Sequence, residues 1–386
     1  MRIAQIAPLE EAIPPKLYGG TERIVSNLTE ALVAAGHDVT LFASGDSQTS
    51  AKLEACWPES LRLNFTFHSK ALPNVLLMER VLRRAREFDV LHFHDEFYHN
   101  LLIDRLFIPS VTTIHGSLIP AEMRLFFGTF CDQALVSISK NQRLPLPHAN
   151  WVSTVYHGVP EDLLTPIPDV QPSYLAFLGR ISPEKRVDRA VRIAEAAGMR
   201  LKVAAKIDGV DRDYYEKEIE WMMALPHVEY VGEICDAEKS EFLGNAVALL
   251  FPIDWQEPFG LVMIEAMACG TPIIAFNHGS VPEVVDEGLT GFVVHDEAAA
   301  VEAVKRVGTL SRATIRKVFE QRFSARTMAA GYIETYEKLL KQKREADMQK
   351  SRRVTNSMDK RTASNRSIEG LVQRHFDLRP VDDVAI

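Results

Sequence analysis

The chain has 386 residues, enough for two domains of ordinary size, and 46% of its residues are hydrophobic and 25% charged. This composition is typical of a globular protein and excludes a chain that is disordered throughout. The formal net charge is −8, with −12 carried by residues 1–340 and +4 by residues 341–386. An acidic body lacks the basic stripe that binds nucleic acid, so we expect no nucleic-acid partner.

The four cysteines, Cys56, Cys131, Cys235 and Cys269, include no C-x-x-C pair. This spacing favours neither a disulfide framework nor a zinc site and fits a reducing compartment. The apolar run at the start of the sequence is too short for a signal peptide, and no window approaches the ~18 apolar residues of a membrane span. We therefore expect a cytoplasmic protein, with peripheral membrane contact as an open alternative.

The first 160 residues alternate apolar strands with helical patterns. Arg2–Pro8 is predicted as a buried strand, and Thr21–Ala35 has the apolar period of a helix that ends at Gly36. Further apolar runs predict the strands Val39–Ala43, Val90–Phe93, Val111–Ile114, Leu135–Ile138 and Val152–Tyr156. Strands that are apolar throughout indicate a parallel sheet with helices on both faces.

Residues 161–173 are rich in proline, which disfavours helix and strand, and we interpret them as an interdomain linker. A second alternation follows, with the helix Pro183–Ala197 after its first strand. Its predicted strands are Tyr174–Leu178, Leu201–Ala205, Val228–Val231, Ala248–Phe251, Ile273–Phe276 and Gly291–Val294.

The sequence therefore predicts an α/β protein of two doubly wound Rossmann-like domains, residues 1–160 and 174–322. Residues 323–340 have a helical apolar period, and residues 341–386 lose it and gain polar residues. This last segment is predicted to be a mobile tail.

The strongest functional signal is the segment Glu257–Glu265, because ligands of open α/β sheets bind in the loops beyond the carboxyl ends of strands. A helix that begins beside a glycine offers free N–H groups to a phosphate, here those of Gly260, Leu261 and Val262. Glu265 lies among small and apolar residues and needs hydrogen-bond donors, which sugar or ribose hydroxyls could supply. An ordinary helix with one exposed and one capped glutamate is the alternative.

A second signal is a group of cations after the first strand of the second domain. Ser182 suits a helix N-cap and Pro183 the first helical position, so Lys185 and Arg186 are predicted in the first turn. A cation there opposes the helix dipole at a cost of ~0.3–1 kcal/mol. Arg180 adds a third positive charge, and a bound anion would resolve the conflict. The alternative is that these side chains extend into water.

A third signal is the pair Gly19 and Gly20 before Thr21, where paired glycines allow close backbone approach and the threonine can cap a helix. A pliant turn explains these residues as well. The motif G-x-G-x-x-G is absent from the sequence, which disfavours a nicotinamide enzyme.

Histidines and an acid lie at strand ends of the first domain: His92, His94, Asp95, His99 and His115. Hydroxyl binding or proton handling, a metal site and a purely structural role are the alternatives for them. No metal-binding motif is completed elsewhere, so we expect no metal. The D-x-D pattern Asp211–Asp213 precedes a predicted helix start and is interpreted as a cap.

Together these segments resemble glycosyltransferase family 4, the retaining transferases of GT-B fold, over about residues 2–340. The resemblance rests on the E-x7-E element from Glu257 to Glu265, its Phe-Gly-Leu step and its A-C-G-T-P-I-I-A continuation. Gly179-Arg180, Glu184-Lys185, Gly19-Gly20 and His115-Gly116 fit the family at the expected places.

The resemblance implies a role for each matching position. Arg180 and Lys185 should bind the donor diphosphate, and Glu265 should hold the ribose hydroxyls. Glu257 and His115 should contact the transferred sugar and, with the two cations, form the catalytic group. Backbone N–H groups should assist at Gly20, Gly260, Leu261 and Val262. Acceptor-side positions are Gly19, Thr21, His94 and Asp95, and the last helix should return to the first domain.

The implied reaction moves a hexose from a nucleotide-sugar to an unidentified hydroxyl acceptor, a small molecule or a glycan, with retention and without a metal or other cofactor. A UDP-sugar is favoured, and a GDP-sugar is the alternative. Arg186 stands where many members have glycine and His157 where many have asparagine, and neither is expected to touch the predicted catalytic groups. A nucleotide-sugar epimerase on the same fold and a non-catalytic two-lobed sugar-binding protein are the alternative functions.

Overall fold

The computed structural model describes residues 1–16, 19–62, 71–94, 97–102 and 107–349. Residues 1–335 form one compact unit, and residues 336–386 form a second. In the second unit residues 336–349 are helical. Residues 350–386, most of the predicted tail, lie outside the described residues.

Seven strands of the described residues form the first sheet, and each is parallel to its neighbours. In chain order they are Arg2–Ile6 (β1), Asp38–Ser44 (β2), Lys52–Trp57 (β3), Val90–Phe93 (β4), Ser110–Thr113 (β5), Leu135–Ser137 (β6) and Trp151–Thr154 (β7). Their order is β3-β2-β1-β4-β5-β6-β7, so the winding reverses between β1 and β4. Connecting helices are Gly20–Ala34 (α1), Ala71–Arg84 (α2) and Ala121–Thr129 (α3).

Six strands of the described residues form the second, also parallel, sheet in the order β10-β9-β8-β11-β12-β13. They are Tyr174–Arg180 (β8), Arg200–Lys206 (β9), Val228–Gly232 (β10), Ala246–Phe251 (β11), Ile273–Phe276 (β12) and Gly291–Val294 (β13). The helices are Val187–Ala196 (α4), Arg212–Tyr214 (α5), Glu220–Met223 (α6), Asp236–Gly244 (α7), Leu261–Ala268 (α8), Val281–Val284 (α9), Glu297–Arg306 (α10) and Arg312–Arg322 (α11). This winding reverses between β8 and β11.

Apolar residues on alternating positions cover both faces of the second sheet. Leu249 and Ile273 belong to the core on one face, whereas Leu250 and Ile274 belong to the core on the other. A strand that buries both of its faces must be apolar throughout, and this is the pattern that predicted the sheet. The predicted fold class, two doubly wound α/β domains, is therefore confirmed.

The edge strand β3 was missed by the sequence prediction. Lys52 and Leu53 are exposed, and Cys56 is the one buried residue of the strand. An edge strand that faces solvent has no apolar run to mark it, which explains the omission.

The helix predicted over Pro183–Ala197 begins at Val187 in the structure. Arg186 has φ 54° and ψ 51°, a left-handed conformation that cannot continue a helix toward the N-terminus. Ser182 therefore begins a turn, with a hydrogen bond from the Lys185 N–H to the Ser182 carbonyl at 3.1 Å, and the predicted N-cap is wrong. The two cations lie before the helix and not in its first turn.

Two segments of the chain connect the two sheets, and their backbones pair with each other. The Val159 N–H donates to the Phe323 carbonyl at 3.0 Å, and the Ala325 N–H donates to the Val159 carbonyl at 2.9 Å. Gly158 lies against this pairing so closely that a Cβ there would be 2.4 Å from the Ser324 carbonyl oxygen. The glycine is thus required by backbone contact between the crossing segments.

The helix that follows the second crossing lies against the first sheet through its residues up to 335. The Tyr332 hydroxyl is 2.9 Å from Thr113 Oγ1, and Thr335 Oγ1 donates to Ser153 Oγ at 2.9 Å. The last strand of the first sheet ends at Thr154 and the first strand of the second begins at Tyr174. The segment proposed as linker, 161–173, lies between these two strands.

We predict that Gly158→Ala lowers the free energy of unfolding by about 2 kcal/mol or more, because the added methyl meets backbone that cannot move aside. Gly128→Ala is the matched control, since Gly128 lies in α3 with no atom within 4 Å of an added Cβ. This control should leave stability unchanged or raise it by up to about 1 kcal/mol. Urea denaturation of both variants measures the difference, and equal stabilities would contradict the crossing contact.

Candidate active site

In each sheet the strand order reverses at one point. Loops at these two points line one shared cavity. Ligands of doubly wound proteins bind beyond the carboxyl ends of strands at such points. The cavity has a volume of about 810 Å³, a size typical of small-molecule sites. It brings together these predicted residues: Gly19, Gly20, Thr21, His115, Arg180, Lys185, Glu257, Gly260, Leu261, Val262 and Glu265.

Two cations stand at the second domain's side of this cavity. Arg180 ends β8, where its Nη2 donates to Glu184 Oε1 at 2.5 Å and its Nε lies 3.1 Å from Asp211 Oδ2. Lys185 lies in the turn before α4 and forms an ion pair with Glu257 Oε2. Each cation is therefore balanced by carboxylates, and Asp211 is an ion-pair partner of Arg180 and does not cap α5. The predicted capping role of the D-x-D pattern is wrong.

The loop between β11 and α8 carries Glu257. The Ser280 N–H donates to the Glu257 carbonyl at 3.0 Å, which fixes its backbone. Gly279 has φ 60°, and a Cβ there would lie 2.3 Å from the Glu257 nitrogen. On the side chain, the Trp255 indole Nε1–H donates to Glu257 Oε2 at 3.0 Å, the oxygen that also receives Lys185. Glu257 is 7% exposed as a residue and lines the cavity.

Glu265 lies on α8 at the end of a chain of alternating charges. Its Oε1 accepts from Lys239 Nζ at 2.6 Å, and Lys239 also lies 3.1 Å from Asp236 Oδ1 on the same helix, α7. Asp236 in turn pairs with Arg23, which lies on α1 of the first domain. Burial opposes the charge of Lys239, but the carboxylates of Glu265 and Asp236 together outweigh this effect, and the pKa of Lys239 is raised. Sequence reasoning missed Lys239, since a lone lysine on a polar helix carries no signal.

The helix α8 begins at the cavity as the sequence predicts. Gly260 precedes it with φ 79°, a conformation that favours glycine, and a Cβ there would lie 2.8 Å from Met263 Cε. Gly20 of the first domain faces this helix, since a Cβ on it would lie 3.8 Å from Leu261 Cδ1. The start of α8 therefore meets the start of α1 across the cavity.

A chain of hydrogen bonds fixes the orientation of His115. His94 Nε2 lies 2.8 Å from Gln5 Oε1, which can only accept, so His94 carries its proton on Nε2. His94 Nδ1 then accepts from His115 Nε2 at 2.9 Å, which leaves His115 Nδ1 as an acceptor. This nitrogen is buried and has no partner among the described residues. Asp95, predicted beside His94, lies outside the described residues.

His157 contacts a predicted catalytic residue, contrary to expectation. Its ring stacks on that of His115 with centroids 5.2 Å apart and planes at 17°, and it meets the Phe259 ring edge-on at 4.9 Å. It lines the cavity, and its buried Nδ1 has no hydrogen-bond partner in the described part of the chain. Burial lowers the pKa of His115 to about 3 and that of His157 well below its ordinary value, so both rings are neutral.

The other two histidines have structural partners. His92 Nε2 lies 2.7 Å from Thr113 Oγ1, and His99 Nε2 lies 2.7 Å from Thr112 Oγ1. Neither lines the cavity. Within the described ranges, no group of three or more His, Cys, Asp or Glu side chains is placed to hold a metal ion.

Two family models match most of the chain. Residues 167–321 match the model of Glycosyl transferases group 1, and residues 18–160 match that of Glycosyltransferase Family 4. With the two doubly wound domains and the shared cavity, these matches define a glycosyltransferase of GT-B fold. The chain belongs to glycosyltransferase family 4.

Curated relatives and solved structures agree with this assignment. A glycogen synthase of Mycobacterium tuberculosis is 26% identical over 348 residues, which cover 76% of this chain and 83% of that protein. A phosphatidyl-myo-inositol mannosyltransferase of Propionibacterium freudenreichii is 25% identical over 347 residues, 79% of this chain and 86% of that one. The structure of Anabaena HepE with UDP and glucose has a TM-score of 0.67 at 16% identity and covers 88% of this chain and 100% of its own.

Among the described residues, no helix combines the length and apolarity that crossing a membrane requires.

The buried histidines should make stability sensitive to mild acid. Burial lowers the pKa of each of His92, His94, His99, His115 and His157, so below pH ~6.5 the unfolded chain binds more protons than the folded protein. The free energy of unfolding should therefore fall from pH 7 to 5.5, by about 1 kcal/mol for each histidine.

His157→Asn should reduce this loss by about 1 kcal/mol, because one of the neutral rings is removed. His148→Asn is the control, since His148 is exposed. Urea denaturation at both pH values measures the effect, and an equal pH dependence of the two variants would show that His157 is protonated in the folded protein.

Proposed function

We propose that the chain is a retaining hexosyltransferase that moves a hexose from a nucleotide-sugar to a hydroxyl group of an acceptor. The observation that carries this proposal is the convergence on one cavity of a cation pair, a helix start and two buried carboxylates: Arg180, Lys185, the first residues of α8, Glu257 and Glu265. The cation pair and the helix start suit a diphosphate, and the buried carboxylates suit the hydroxyl groups of a sugar and a ribose.

Arg180 and Lys185 are assigned to the donor diphosphate. Cleavage of the bond between the sugar C1 and the phosphate oxygen leaves negative charge on the diphosphate and positive charge on the ring. Cations and backbone N–H groups that are already in place stabilise the negative charge with little reorganisation. We assign this neutralisation to Arg180, Lys185 and the N–H groups of Gly260, Leu261 and Val262, without a metal.

The hydroxyl groups of the donor are assigned to three side chains. Glu265 takes the ribose, because its carboxylate lies on α8 beyond the diphosphate site. Glu257 takes the transferred sugar, since it lies beside Lys185 and lines the same cavity. His115 contacts this sugar from the first domain, where its unprotonated Nδ1 can accept a hydrogen bond from a hydroxyl.

Retention is proposed through attack on the face from which the diphosphate departs. The acceptor oxygen forms its bond to C1 as the bond to the phosphate oxygen breaks, and that phosphate oxygen takes the acceptor proton. We assign no covalent nucleophile. Glu257 already shares its Oε2 with Lys185 and Trp255, which suits a carboxylate that positions and stabilises the sugar.

The proposed donor is a UDP-sugar, with UDP-glucose as the first candidate, and the solved HepE complex with UDP and glucose supports this choice. The two curated relatives, a glycogen synthase and a phosphatidyl-myo-inositol mannosyltransferase, are named for different products. We therefore propose the acceptor only as a hydroxyl-bearing small molecule or glycan. The proposed location is the cytoplasm, which agrees with four cysteines that are all free.

We predict that UDP binds the purified protein, and that the double variant Arg180→Ala, Lys185→Ala binds it about 100-fold more weakly, because two charge-assisted contacts are lost. Calorimetric titration with UDP, GDP and ADP measures this and identifies the base. Lys305→Ala, which removes an exposed cation on α10, is the control. If the double variant binds UDP as the native protein does, the donor site is wrongly assigned.

Glu257→Gln should separate sugar recognition from nucleotide binding. The release of UDP from UDP-glucose should slow about 100-fold, because a charged contact to the sugar is lost in the transition state. UDP itself should bind more tightly, since Lys185 no longer shares its charge with a carboxylate. A parallel loss of UDP binding and turnover would instead place Glu257 in the nucleotide site.

A further inference from the structure

The loop between β11 and α8 contains a tryptophan that sequence reasoning did not single out. Trp255 lies two residues before Glu257, is partly buried against the core beneath the second sheet, and is not among the residues that line the cavity. Its indole Nε1–H donates to Glu257 Oε2 at 3.0 Å. Its ring also lies under Lys185, with Nζ 5.1 Å from the ring centroid. Trp255 thus contacts both members of the ion pair.

The two partners of the Glu257 carboxylate share one of its oxygens. Lys185 and Trp255 both reach Oε2, and within the described ranges no hydrogen bond reaches Oε1. The backbone of Glu257 is held by Ser280 and by the close approach of Gly279. With the backbone fixed, the direction of Oε1 depends on what holds Oε2.

We infer that Trp255 is a positioning residue that keeps Oε1 of Glu257 turned toward the transferred sugar while the donor is bound. This inference rests on the proposed function. A diphosphate at Lys185 draws the ammonium toward the phosphate oxygens, and the contact between the Lys185 ammonium and Glu257 Oε2 then weakens. The indole N–H is neutral, so the diphosphate does not compete for it through charge, and its bond to Oε2 persists when the lysine is shared.

The substitution Trp255→Phe tests this role with a minimal change. Trp255→Phe keeps an aromatic face under Lys185 and removes the N–H. Trp221→Phe is the matched control, because Trp221 lies on α6 and is 59% exposed. We expect Trp255→Phe to slow UDP release from UDP-glucose about 10-fold, as expected for the loss of one hydrogen bond to a charged group, and to leave the Kd for UDP unchanged. The control should change neither quantity.

A double-mutant cycle shows whether the tryptophan acts through the glutamate. In a Glu257→Ala background, Trp255→Phe should have no further effect on UDP release, because the carboxylate that it holds is gone. An equal loss in both backgrounds, or a fall in UDP affinity with Trp255→Phe, would show that Trp255 supports the loop or the cation and would overturn the inference.

One further measurement needs no donor. The protein has four tryptophans, so its indole N–H groups give a small set of ¹H–¹⁵N resonances, and the one lost in Trp255→Phe belongs to Trp255. This resonance should shift upfield in Glu257→Ala, while those of the other tryptophans stay in place. If it does not move, the hydrogen bond is absent and the inference fails. If it moves but UDP does not bind the native protein, the bond stands and the proposed function fails.

Discussion

Charge compensation within the cavity is the constraint on which the candidate site depends. Lys185 and Lys239 are largely buried and would be costly without partners, and each is matched by a carboxylate, Glu257 and Glu265. The cations are thus held in place before any ligand arrives. In the proposed function, an anionic donor exchanges partners with these carboxylates instead of meeting free charges, and the carboxylates are then available to hydroxyl groups. Charge exchange of this kind favours a ligand that brings phosphate and hydroxyls together.

The topology explains why distant parts of the chain supply these groups. Parallel strands release their loops at one edge, and the reversal of winding between β8 and β11 opens a crevice there for Lys185 and Glu257. In the first domain His115 follows β5 at the same carboxyl edge of its sheet and lines the same cavity. Arg23 pairs with Asp236 across the cavity, so the charge chain that ends at Glu265 begins on the other domain.

The sequence predicted those strands, helices and loops that a periodic or local residue pattern marks. Strands β4, β12 and β13 were placed with their observed bounds, because buried parallel strands are continuous apolar runs. The start of α4 was wrong, since local capping rules do not anticipate a left-handed Arg186. Lys239 and Gln5 were missed, because their roles come from partners far away in the chain, Glu265 and His94. The roles of individual site residues stay predictions.

The two sides of the cavity differ in a way that suits the proposed reaction. The second domain offers fixed cations where the departing diphosphate becomes more negative. The first domain offers His115 and His157, which burial keeps neutral, so these two rings add no positive charge beside a sugar ring that becomes positive. A protonated imidazole there would oppose the developing charge on the ring. The same burial that makes these histidines vulnerable to acid therefore suits the proposed chemistry, because it keeps both imidazoles neutral near pH 7.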